Sequence, residues 1–192
     1  MVTFRLFGIN VSVSYFFLSI LAVLILIDRS GMLSISLLAV VFHELGHLCM
    51  MRFLKVTVSI IEFSLSTVRV TTIGMMDYKK SLIVAVSGPF ANLCLSFCVL
   101  SNWELAAYFG VANLVMFAFN MLPAKGLDGG DVLYYALLSL GFKNAVKIFA
   151  IISTLSIVAI IMLGVGLFVA TRSNITLLLV GIYLLILSFK KI

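Results

Sequence analysis

Six apolar runs reach, or nearly reach, the length needed to cross a bilayer core of about 30 Å: residues 12–27, 32–51, 81–101, 104–122, 144–170 and 175–189. In lipid every backbone polar group must be satisfied inside the protein, which leaves helices and closed barrels as spanning structures. Runs of this length predict helices. Composition agrees, since 64% of the 192 residues are hydrophobic and 10% charged, with a mean hydropathy of +1.29, against about 45–50% apolar and about 25% charged in soluble domains. The expected fold is an all-α polytopic membrane protein of six spans forming one domain, with a core over 32–142 and extra C-terminal helices over 144–189.

Two segments depart from a plain helical bundle. Residues 56–73, VTVSIIEFSLSTVRVTTI, are rich in β-branched side chains, and Ser64 with Ser66 suits a turn. They predict a β-hairpin between the second and third helices, dipping into the membrane where protein covers its backbone; the alternative is an interfacial strand pair without a functional role. Residues 120–142, NMLPAKGLDGGDVLYYALLSLGF, break the fourth span at Pro123 and carry Gly126, Gly129 and Gly130 before an apolar stretch too short to span. Broken backbone at membrane depth is tolerated around a cavity or inside protein.

Alternating the spans from the N-terminus puts Arg5, Arg52, Lys55, Arg69, Lys79, Lys80, Lys125, Lys143, Lys147, Lys190 and Lys191 on one side, and only Arg29 and Arg172 on the other. This asymmetry predicts cytoplasmic termini and an even number of spans. It also accounts for the net charge of +6 without nucleic acid as a partner. Arg5 precedes the first run, but no small-residue cleavage site follows, so the run is expected to stay as an uncleaved span. Cys49, Cys94 and Cys98 lie in apolar stretches with no disulfide or zinc-ribbon spacing. They suit small buried hydrophobes.

Inside the second run stands His43-Glu44-Leu45-Gly46-His47. On a helix this spacing brings both imidazoles to one face, where they can share a metal ion, with Glu44 beside them to take a proton from water and pass one to a leaving amine. An ionisable group in mid-span is costly unless it has a function or a partner, and these are the only two histidines in the chain. A catalytic zinc site needs a third protein ligand and an open position. With no histidine left, the candidates are Asp128, Asp131 and Glu62. His47 and His43 lie roughly 8 Å and about 13 Å from the cytoplasmic end of their helix, at about 1.5 Å per residue. The break at Pro123 falls on the same side, and Gly129 and Gly130 allow close approach, so Asp128 ranks first.

Three motifs together resemble the site-2 proteases, intramembrane zinc metalloproteases that cut transmembrane or membrane-associated substrates: the HELGH helix, Ser87-Gly88-Pro89-Phe90-Ala91-Asn92, and Asn120-Met121-Leu122-Pro123 through Leu127-Asp128-Gly129-Gly130. The resemblance covers most of residues 1–142. It implies one zinc ion per chain held by His43, His47 and Asp128, with Glu44 as the catalytic base. It further implies a hairpin edge that holds substrate extended, and Asn120 and Pro123 as substrate-binding positions; for Asn120 the alternative is that it satisfies backbone freed near Pro123. The early HELGH and six spans look most like the stage IV sporulation FB-type branch, which processes a membrane-associated pro-sigma factor. The expected partners are a membrane-embedded or membrane-associated protein substrate, inhibitory membrane proteins and the lipid bilayer. The expected location is the cell membrane, with the site in its cytoplasmic half. The alternative function is a polytopic divalent-metal transporter, although inverted repeats are lacking and two histidines make a sparse pathway. A catalytically silent membrane chaperone is disfavoured by the intact glutamate.

Overall fold

The structure is a computed structural model in which residues 1–6, 9–64, 68–173 and 175–189 are described. The chain runs β1 (Val2–Leu6), β2 (Ile9–Val13), α1 (Tyr15–Ile27), α2 (Met32–Phe53), β3 (Val58–Phe63), β4 (Val68–Thr72) and α3 (Tyr78–Ser96), continued by a 3-10 turn at Phe97–Leu100. It continues through α4 (Glu104–Asn120), α5 (Asp128–Ser139), α6 (Ala145–Thr171) and α7 (Thr176–Phe189).

The apolar runs are helical, and they differ in length. Among the described residues, α2, α3 with its 3-10 turn, and α6 are long and apolar enough to cross a membrane, whereas α1, α4 and α7 are shorter apolar helices. The first run loses its beginning to β2, which takes residues up to Val13, and the fourth ends at Asn120 ahead of the break. Many large apolar side chains are exposed along these helices, including Leu26, Phe53, Met162 and Val169. A soluble protein does not show so continuous an apolar surface. The chain has the makings of an integral membrane protein.

The all-α expectation needs a correction. β3 and β4 belong to a four-stranded sheet in the order β1-β2-β3-β4. β3 and β4 pair antiparallel, and β2 pairs parallel with β3, setting Val11 opposite Ile61. β1 and β2 were not expected, because the apolar run beginning at residue 12 hides the alternation of the first residues. Ser64 follows β3, while Ser66 lies outside the described residues, as do Lys190 and Lys191.

Local chemistry explains how α2 begins. Gly31 turns the chain with a φ of 70°, a left-handed conformation that suits glycine. Asp28 then accepts hydrogen bonds from the Ser34 backbone N–H and from the Ser30 and Ser34 hydroxyls. The Ser34 N–H is the main reason its carboxyl is held below the ordinary value. α2 packs against α3 and α4, and α3 also packs against α5. Where α2 crosses α3, a Cβ on Gly46 would come within 2.7 Å of the Ser87 carbonyl oxygen. Small residues at such a crossing let two backbones approach closely.

A buried apolar cluster lies elsewhere. Ala124 and Leu127, from the turn after α4, are buried against Ile157 and Ile160 of α6 and Leu184 of α7. The Lys125 backbone N–H donates to the Ser153 hydroxyl at 2.8 Å, and its ammonium donates to the Ser188 carbonyl at 3.3 Å. The C-terminal helices, expected as additions to the core, anchor the turn that leads into α5.

Candidate metal centre

His43 and His47 lie one turn apart on α2, with ring centroids 4.8 Å apart. The Val84 carbonyl on α3 lies 2.8 Å from His47 Nδ1. A carbonyl can only accept, so this nitrogen carries the proton. The same carbonyl accepts from the Ser87 hydroxyl at 2.6 Å. His43 Nδ1 faces Asn92 Oδ1 at 2.5 Å. Both rings therefore turn Nε2 inward, 3.2 Å apart.

Asp128 is brought to the same point by the turn after α4. The helix stops at Asn120, Gly126 takes a φ of 94°, and α5 starts at Asp128 itself. Its carboxylate is thus on the first residue of a new helix, and the unwound backbone expected around it is confined to the preceding turn. A side chain on Gly129 would overlap the Met121 carbonyl, and one on Gly130 the Ala124 carbonyl, so this close return of the chain depends on both glycines. Asp128 Oδ2 lies 2.8 Å from His43 Nε2, and Oδ1 lies 3.5 Å from His47 Nε2. One ligand atom from each of the three residues falls within 4.8 Å of the others.

The donor set fits a metal ion. Asp128 Oδ2 is buried without a hydrogen-bond partner, although His43 Nε2 is close by. In the neutral ring each histidine spends its one N–H on the Nδ1 side, so two imidazole lone pairs and a carboxylate face one another. Without a shared cation that arrangement is repulsive. Two nitrogens and one oxygen, with space left over, match a three-residue catalytic zinc site.

A cavity of about 400 Å³ opens at this cluster, and its wall includes His43, Glu44, His47, Asn120, Asp128 and Asp131. Glu44 is thus beside the two histidines, as its position in the motif predicts. Asp131 shares the wall, one turn beyond Asp128. Pro123 does not line the cavity; it lies in the turn where α4 gives way to α5. Glu62 is on β3, opposite Arg69 of β4 in the strand register. Sequence reasoning did not single out Val70, Met76 and Tyr135, which complete much of the wall. Nor did it single out Asn113, a buried amide in the apolar helix α4.

No protein-family model and no curated protein matches the chain. Among solved structures, a site-2 protease from Methanocaldococcus jannaschii aligns with a TM-score of 0.63 and 20% sequence identity, over 97% of this chain and 93% of that one. The two folds are similar. At this identity the likeness is one of architecture, and it extends to both C-terminal helices.

Proposed function

We propose that this protein is an intramembrane zinc metalloendopeptidase that hydrolyses a peptide bond of a transmembrane or membrane-associated substrate. The observation that carries the reading is the convergence of His43, His47 and Asp128 next to Glu44, in helices whose outer surface is apolar. The fold likeness to a site-2 protease supports it. A divalent-metal transporter is not favoured, because the described residues provide one candidate metal cluster and no second one to continue a path.

In this reading His43, His47 and Asp128 hold one zinc ion. When bound, zinc supplies Lewis acidity, polarising a carbonyl and lowering the pKa of water to about 7. Glu44 accepts the proton that water gives up and returns one to the leaving amine. A helical substrate hides its peptide bonds in its own hydrogen bonds, so it must unwind before cleavage. β4 ends the sheet, and Val70 on it lines the cavity. Its outer edge can satisfy an unwound segment by strand addition. Asn120, on the same wall, is available to an extended substrate backbone, and Pro123 shapes the turn beside it.

The three shorter apolar helices complete six spans by tilting or by local thinning of the bilayer. The lysine and arginine asymmetry supports cytoplasmic termini and a site in the cytoplasmic half. A membrane-associated pro-sigma factor is the substrate to try first, by analogy of the sequence motifs, and inhibitory membrane proteins are candidate regulators.

The test is Glu44→Gln. Its zinc content should match that of the parent protein, while cleavage of a co-expressed membrane substrate should fall by about 10²–10⁴-fold. Undiminished cleavage would falsify the mechanism. Mass spectrometry of membrane-protein fragments, with parent and variant compared, identifies the substrate.

A further inference from the structure

Asn92 of α3 and Asn113 of α4 are fully buried, and their hydrogen bonds run in one direction. Asn113 Nδ2 donates to the Phe109 carbonyl at 2.8 Å. Asn92 Nδ2 donates to Asn113 Oδ1 at 2.7 Å and to the Ala39 carbonyl at 3.2 Å. A main-chain carbonyl can only accept, so the atom facing each one must be the amide nitrogen. Backbone on α2 and on α4 thereby determines which way both amides point. The consequence is that Asn92 presents its oxygen to His43 Nδ1.

We infer that Asn92 and Asn113 form a polar relay that keeps the His43 proton on Nδ1 and its Nε2 lone pair directed at the metal position. Both are positioning residues. The inference rests on the proposed ligand role of His43. If the Asn92 amide were reversed, its N–H groups would face His43 Nδ1, the proton would move to Nε2, and the ring could not ligate through that atom. Simple adhesion between α2, α3 and α4 has no such requirement. His47 supplies an internal reference, because its Nδ1 proton is directed by the Val84 carbonyl and needs neither amide. Fixing the orientation of a ligating histidine in this way is typically reflected in metal affinity.

The experiment uses the full chain, zinc-loaded in detergent and labelled with ¹⁵N-histidine, which yields two imidazole spin systems because the chain has two histidines. Both rings should be protonated at Nδ1 and coordinated through Nε2, with slowly exchanging Nδ1–H protons. In Asn92→Ala the His43 proton should exchange rapidly while the His47 proton stays protected, and zinc affinity, measured by chelator competition, should fall by about 10–100-fold. Asn92→Asp retains the acceptor oxygen and should keep the His43 signal. Asn113→Leu leaves Ala39 to orient Asn92, and should lower affinity less than Asn92→Ala does. Protonation of His43 at Nε2 in the parent protein would overturn the relay without any variant having to fold. So would equal loss of both Nδ1–H signals in a helical Asn92→Ala protein, or an unchanged affinity. A parent protein that binds no zinc overturns the proposed function as well, whereas bound zinc with a misprotonated His43 overturns the relay alone.

Discussion

A methyl group on Gly88 would overlap the His47 imidazole, so the space occupied by that ring exists because α3 carries hydrogen alone at this position. The ring cannot yield freely, since Val84 holds one nitrogen and the other faces Asp128. Gly88→Ala should therefore weaken zinc binding by about tenfold or more, read by chelator competition in detergent, with helix content retained. Charge and position can be separated along α5. Asp128→Asn should strip most of the zinc, whereas Asp131→Asn, one turn away on the same wall, should leave metal content unchanged; the reverse pattern would move the third ligand to Asp131. At this scale the sequence was informative. His43, Glu44 and His47 lie within five consecutive residues, so helical geometry alone brings them together. Asp128 was the first of three carboxylate candidates, and only the turn through Gly126 brings it to the histidines. Asn113 had no local pattern to mark it.

Between elements, the sheet and α5 differ most from what periodicity suggested. β-branched density pointed to a hairpin within residues 56–73, where β3 and β4 lie, but β1 and β2 join them through a parallel pairing across the whole of α1 and α2, and such non-local pairing leaves no period in the sequence. The arrangement puts β4 at the sheet's edge, with no strand partner on its outer side among the described residues. Val70→Pro removes a backbone donor from β4 and stiffens it, disturbing either its pairing with β3 or the free edge. Cleavage should fall by about 10²-fold, as expected for a misplaced substrate, while zinc content stays at the parent level. Loss of zinc together with cleavage would mean that the strand supports the metal centre rather than the substrate.

Across the whole molecule, the C-terminal helices hold the loop that carries the third candidate ligand. Ser153 of α6 is buried and accepts the Lys125 backbone N–H, so Ser153→Ala leaves a donor without its partner in an apolar surrounding. A loss of about 1–3 kcal/mol is expected, measured by denaturant titration in detergent, with zinc released earlier in the titration than from the parent protein. Membrane orientation is also a property of this scale. Single cysteines in a background lacking Cys49, Cys94 and Cys98 should react with an impermeant reagent from outside the cell when placed at Arg29 or Arg172, and only after permeabilisation when placed at Asp77 or Lys143. The opposite pattern would invert the proposed topology.

Composition and local spacing set the solvent and bring part of the candidate site together. Transfer of apolar surface is a sum over residues, and a helical turn brings His43, Glu44 and His47 together without help from the rest of the chain. Long-range packing selects which carboxylate joins them, how the sheet is ordered and which atom of each histidine faces inward. Those outcomes depend on close approaches at Gly46, Gly88 and Gly129, and on carbonyls at Ala39, Val84 and Phe109 that are chemically identical to every other carbonyl in the chain. A carbonyl acquires a specific role only through what packing brings within about 3 Å of it.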